Sequence, residues 1–444
     1  MRTLKWLLKE NWEILLLFLL PILLMLINQV WMFSNIYVDP WFYFGYFIRL
    51  KEYLIAFPGS YPGTRLSWIL PGYLLHSLFP PLIAHYILHL GFYYLAIFSL
   101  YLVLKPHIGK RGAFLASAAM GCYSFFLMAV GWDYVDGAGI AYFLVTVLML
   151  SWAARKENQT IWMALSGVCF GALIYTNLTW MAFSIPLITY YVLTNYPHRI
   201  KKTFISIAAF IVGFLAITIL LGVVNYAIVG DFLFFMHSAN VVLSSLGKLN
   251  PWINPLHQWG RATWLALPLI VLAVSLAMLS LSKFSKFFEE AVLPLQKTFV
   301  ITCLVMIFLQ VIGISVLQVP FYSSYLIPSM FLAIGEPLKS LTMLSKYRFA
   351  SVATFSLILI VSSLITVNYL DPFVADAQVI IFCLLFVAAT SFSIASSCNQ
   401  KKLGGVLAVL LLTASAIINF NAVWNVNQGG EPTSSQCFDF KDIN

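Results

Sequence analysis

From residue 13 to residue 424 the chain returns repeatedly to apolar runs close to twenty residues long, parted by short connections. A bilayer crossing takes about 20 consecutive, mostly apolar residues. Inside lipid each segment must satisfy its own backbone groups, so helices are the spanning element. The runs predict roughly thirteen spans, near residues 13–33, 81–104, 113–130, 137–154, 160–176, 181–194, 203–229, 262–282, 298–318, 322–338, 349–370, 377–395 and 404–424. The expected fold class is an all-α polytopic membrane protein. Composition agrees, with 61% hydrophobic residues, 9% charged and a mean hydropathy of +0.90, outside the range of soluble globular chains.

Basic residues orient the spans. With the N-terminus inside, the 25 Lys and Arg divide 19 to the cytoplasmic side and 6 outside, the six being Arg49, Lys51, Arg65, Lys248, Arg261 and Lys441. The acids lean the other way, with Asp39, Asp133, Asp136 and Asp231 among those outside. The net charge of +9 then reflects topology and anionic lipid rather than a nucleic-acid footprint. The first apolar run follows a basic N-terminus, but QVWMFSN offers no small-residue cleavage pattern, so it is expected to stay as the first helix. The C-terminal tail is expected outside, and the compact loops suggest a prokaryotic plasma (inner) membrane.

Two long outer loops, about 34–80 and 230–261, are longer than connectivity requires and are expected to be functional. In the first, PWFYFGYFIRLKEYLIA (40–56) suits a helix lying in the interface, aromatic side down. AFPGSYPGTR breaks it with two Pro-Gly steps, and LSWILPGYLLHSLF (66–79) reads as a second interfacial helix or an added span. The second outer loop is the short hairpin GWDYVDGAG.

The chemistry-bearing residues gather in these loops. Asp39 sits among aromatic rings and precedes Pro40, so it reads as a helix cap, as a partly desolvated general base, or as both. Asp133 and Asp136 share the hairpin. If the hairpin tucks against the first loop, Asp39, Asp133 and Asp136 would meet, to bind a divalent metal through oxygen or to divide into base and orienting partner. Arg65 closes the first loop beside YPGT, and its guanidinium suits either lipid headgroups or a substrate phosphate. Lys248 and Arg261 are weaker candidates for the same task. His85 and His89 are four apart on one helix face, without the Glu of a zinc-protease HExxH, and read as satisfied polar residues at a helix interface. No GxSxG or phosphate-binding P-loop is present, which argues against serine-hydrolase and nucleotide-driven chemistry.

VDPWFYFGYF, PGTRLSWILPGYLL followed by FPP, and GWDYVDGAGIAYF give residues 1–230 a resemblance to the GT-C glycosyltransferases. Within them the chain is most similar to the dolichyl-phosphate-mannose-protein mannosyltransferase-like group, including the bacterial aminoarabinose-transferase-type enzymes. FYSSYLIP (321–328) is similar to a late Tyr-and-Pro element of that group and puts Tyr325 among the expected sugar or acceptor contacts. The resemblance implies a GT-C fold, with Asp39 as the catalytic acid of the first loop and Asp136 or Asp133 as that of the second. It makes Arg65 similar to the basic residue that meets the donor phosphate. The chain departs from the pattern at Pro40, where many relatives carry a second acid, and at Ser324, where many carry an Arg; Lys248 or Arg261 would then substitute.

The resulting expectation is a membrane glycosyltransferase that moves one sugar from a polyprenyl-phosphate donor to a protein, lipid or glycan acceptor on the outer face, with inversion. Trp41, Tyr43, Trp132 and Tyr134 are its expected walls for a sugar ring. Residues 1–230 would form the catalytic module and residues 231–444 a variable module. No cofactor is expected with certainty, and a divalent metal is left open. A lipid-linked glycan polymerase or ligase is a competitor, but it usually relies on several arginines in a late outer loop. A lipid or solute transporter is another, but it should place ionisable groups at mid-membrane depth.

Overall fold

The computed structural model describes residues 12–27, 30–32, 38–155, 158–195, 200–245, 265–281, 293–314 and 320–343. Among the described residues every regular element is helical. In chain order these are α1 (Trp12–Ile27), α2 (Val38–Ile48), α3 (Leu50–Ala56), α4 (Leu66–Leu78), α5 (Pro81–Gly121), α6 (Ser124–Gly131), α7 (Asp136–Arg155), α8 (Gln159–Ile174), α9 (Ser184–Asn195), α10 (Ile200–Val229), α11 (Phe235–Ser245), α12 (Ala266–Leu281), α13 (Leu293–Val311) and α14 (Ile327–Met343). Short 3-10 turns at Val30–Met32, Pro62–Thr64, Leu178–Phe183 and Pro320–Tyr325 link them. Each expected span from 13–33 to 322–338 holds helix, and those at 349–370, 377–395 and 404–424 lie outside the described residues.

Some spans depart from the twenty-residue expectation. Four described helices are long and apolar enough to cross a membrane: α5, α7, and the stretches Phe204–Val229 of α10 and Pro294–Val311 of α13. The others are shorter; α8 has 16 residues, about 24 Å of helix. The second and third expected spans stay distinct: α5 is two helices joined at Gly109, just past Pro106, where φ is 77°. The run 113–130 is split again at Cys122 and Tyr123 into the end of α5 and the separate helix α6.

Packing runs in a chain of neighbours. α10 lies on α8, α8 on α7, and α7 on α5; α5 also receives α1 and α14, while α13 joins α9 to α12. Small residues allow the closest of these approaches. A Cβ on Gly167 of α8 would fall 1.9 Å from the Phe210 carbonyl oxygen, and one on Gly213 of α10 would fall 1.8 Å from that of Ala164. Membrane helices associate through such close backbone contact, because lipid gives apolar side chains little reason to prefer each other. Along the opposite side of α10, Ile205, Val212, Ile219 and Val223 stay exposed, as a lipid-facing stripe should.

The stretch expected as one interfacial helix over 40–56 is two, α2 and α3, parted at Arg49, whose φ of −133° and ψ of 56° are non-helical. Tyr43, Tyr46, Phe47, Leu50 and Leu54 fall on one buried stripe at helical spacing. α2 packs on α4, where the Phe47 ring fills the space left by Gly72. The Pro-Gly steps form the expected turns, with Gly59 at φ 64°. Replacing Gly213 with leucine should force α8 and α10 apart and lower stability by about 1–3 kcal/mol, through overpacking. Thermal unfolding of the detergent-solubilised protein checks this.

Candidate functional site

Arg65 follows the 3-10 turn Pro62–Thr64 and caps the start of α4, so its side chain points back into the packed first loop. It is 2% exposed. Its Nη1 donates to the Tyr43 hydroxyl at 2.6 Å. Three tyrosine rings surround the guanidinium, with Cζ lying 4.0 Å from the Tyr61 centroid, 5.1 Å from that of Tyr134 and 5.8 Å from that of Tyr43. Such faces attract a cation, all the more when it is desolvated. Tyr134 lies close enough to act electrostatically on Arg65, yet Nε and Nη2 meet no acceptor at good hydrogen-bond geometry. Among the described residues no carboxylate lies within ion-pair distance of Arg65.

The hairpin between α6 and α7 reaches the same place, with the Tyr134 and Tyr43 rings edge to face at 5.6 Å. Burial pushes the Tyr134 hydroxyl up; the Arg65 charge pulls it down, while Tyr61 and Asp136 add to the rise. A narrow cleft with about 10 Å³ of room, roughly one water's worth, is lined by Tyr61, Thr64, Arg65, Thr176, Asn177 and Ser238. The Thr64 and Ser238 hydroxyls bond to each other, tying the first loop to α11. Asn177 accepts a hydrogen bond from the Thr179 backbone at 3.1 Å, capping the 3-10 turn there.

The three acids do not gather. Asp136 opens α7, is buried, and accepts a hydrogen bond from the Ser324 hydroxyl at 3.1 Å. Asp133 turns toward α5, where His89 Nε2 lies 2.9 Å and His85 Nδ1 3.4 Å from its Oδ1. Burial alone would raise Asp133. The charge and hydrogen bond of His85, followed by those of His89, outweigh it and hold the carboxyl well below the usual carboxylate range. Asp39 lies one residue inside α2 and is exposed, so the surrounding rings do not provide the expected desolvation. Asp39, Asp133 and Asp136 therefore form no common ligand set among the described residues. The cluster with metal-ligand spacing is His85, His89 and Asp133.

The expected aromatic walls divide. Trp41 is 48% exposed and Tyr134 is partly so. Tyr43 is buried as the partner of Arg65, and Trp132 is buried as well. Tyr325 is buried, stacked on Phe183 at 5.1 Å and packed against Trp180 at 4.6 Å. Lys248 and Arg261 lie outside the described residues. Sequence reasoning missed Tyr61 as the nearest ring to Arg65 and Ser324 as the partner of Asp136. FYSSYLIP marked the second segment, but nothing local tells which acid it meets.

No protein-family model and no curated protein matches the sequence. The fold is nevertheless shared. ArnT from Cupriavidus metallidurans bound to undecaprenyl phosphate superposes with a TM-score of 0.55 at 14% identity, over 93% of this chain and 77% of ArnT. The apo state of the same protein gives a TM-score of 0.48 at 13% identity. The chain is an all-α membrane protein with the GT-C fold.

Replacing Ser324 with alanine should leave the buried Asp136 carboxyl without its donor. The expected loss is about 1–3 kcal/mol of stability, read from thermal unfolding against the wild type.

Proposed function

We propose that this protein transfers one sugar from a polyprenyl-phosphate donor to a protein, lipid or glycan acceptor at the outer membrane face. The observation that carries this reading is Arg65: a buried guanidinium whose Nε and Nη2 meet no acceptor at good hydrogen-bond geometry, lining a cleft, without a carboxylate at ion-pair distance among the described residues. A buried charge left so is strongly unfavourable. A phosphate oxygen offers the anionic, two-pronged acceptor that a guanidinium matches. The GT-C fold shared with ArnT, whose structure holds undecaprenyl phosphate, makes a polyprenyl phosphate the natural source of that anion.

Arg65 then stabilises charge developing on the departing lipid phosphate, an electrostatic contribution of the kind that often dominates catalysis. Lys248 and Arg261, on the segment after α11, would add to it. Asp39 takes the proton of the acceptor hydroxyl, which attacks the anomeric carbon opposite the phosphate and inverts it. The exposed Asp39 and Trp41 suit a position where an acceptor arrives. Asp136, held by Ser324 and sharing Tyr134 with Arg65, orients the sugar between them. Residues 1–230 supply most of these groups, and residues 231–444 supply Lys248, Arg261 and Ser324. The N-terminus is cytoplasmic and the C-terminus outside, in a prokaryotic plasma membrane.

The test is sugar release from a panel of radiolabelled polyprenyl-phosphate monosaccharides. Wild type should turn over at least one donor. Asp39→Asn should lose about 100-fold or more, and Arg65→Gln about 100-fold, with folding intact by thermal unfolding. Full transfer by Asp39→Asn would remove the assigned base. Absence of both turnover and donor-induced thermal stabilisation across the panel would remove the donor class.

A further inference from the structure

His85, His89 and Asp133 lie outside the lining of the Arg65 cleft. His85 Nε2 faces the Met32 carbonyl oxygen at 2.6 Å, and His89 Nδ1 faces that of Val130. A carbonyl only accepts, so each ring donates from that nitrogen. The remaining nitrogens, His85 Nδ1 and His89 Nε2, both turn to the same oxygen, Asp133 Oδ1, at 3.4 and 2.9 Å. The two ring centroids are 4.2 Å apart, so three ligand atoms converge in a buried place.

We propose that His85 Nδ1, His89 Nε2 and an Asp133 carboxylate oxygen bind a divalent transition metal of the zinc type. The three ligand atoms lie within 4.8 Å of one another. Zinc bonds of about 2.0–2.2 Å in tetrahedral geometry hold ligand atoms roughly 3.4 Å apart, inside the span seen here. The i, i+4 spacing on α5 puts both rings on one helix face. The carbonyls of Met32 and Val130 supply the outer-shell contacts that set the tautomer and aim of metal-bound imidazoles. Two nitrogens and one carboxylate suit zinc rather than calcium or magnesium, which prefer all-oxygen sets. The fourth position is left for water, since Asp133 is 13% exposed.

The metal's task is positioning. It pins the hairpin to α5 at Asp133, between the Val130 carbonyl and Tyr134, and so fixes where Tyr134 and Asp136 meet Arg65. The site stands independently of the donor proposed above, because its readout is the metal itself.

The experiment measures metal in untagged protein purified in detergent without chelator and then dialysed. Elemental analysis should find about one zinc per chain in the wild type, falling at least tenfold in His89→Gln and in Asp133→Asn. Asp133→Asn keeps the side-chain volume, so it guards against a variant that merely misfolds. In stripped wild type, cobalt(II) should give the visible bands of a low-symmetry, four-coordinate site, and zinc should raise the unfolding temperature. Both effects should vanish in Asp133→Asn. Wild type that carries no metal, shows no cobalt bands and gains nothing from zinc would overturn the proposal, as would metal retained equally by both variants.

Discussion

The Arg65 guanidinium is stripped of nearly all its water, and a charge in that position organises what packs around it. It is met by one hydroxyl and three tyrosine faces rather than by an acid. Those faces come from three places: α2, the turn before Pro62 and the hairpin before α7. Each must be brought in for the charge to be tolerated. The same demand draws the first loop against the turn at Thr176 and against α11, through the bond between Thr64 and Ser238. Nε and Nη2 still meet no well-placed acceptor, and a buried charge so placed costs stability.

The hairpin between α6 and α7 works under a second constraint, the separation of its two acids. Asp133 and Asp136 are three residues apart but turn to different partners, one to a histidine pair on α5 and the other to a serine in the turn before α14. Backbone contact makes that possible. A Cβ on Gly131 would fall 1.5 Å from the Trp31 carbonyl oxygen, and one on Gly137 would fall 2.8 Å from that of Ala129. With side chains at these positions the hairpin would stand off, and neither acid would reach its partner. The hairpin therefore joins the polar cluster on α5 to the tyrosine cage, with Tyr134 between them.

The helices were legible because their cause is local. A run of apolar residues in lipid must form its own backbone hydrogen bonds, and Gly109, Arg49 and the Pro-Gly steps interrupt the pattern where local chemistry predicts or allows it. The buried stripe of α2 from Tyr43 to Leu54 follows the same logic of helical spacing. Burial was less legible. Asp39 lies among aromatic residues in the sequence, yet α2 turns those rings inward and leaves the acid outside. Tyr325 reads as a contact for sugar, yet Trp180 and Phe183 enclose it.

What the sequence determined by itself was the class of fold, the rough position of each described helix and which polar residues to look at: Asp39, Arg65, Asp133 and Asp136. What only the tertiary structure decided was who meets whom. The partner of Arg65 lies 22 residues away, that of Asp133 lies 44 residues away and that of Asp136 lies 188 residues away. Helix formation depends on neighbours within one turn, so it can be read along the chain. The pairing of buried polar groups depends on which helices pack together, and no local pattern encodes that distance.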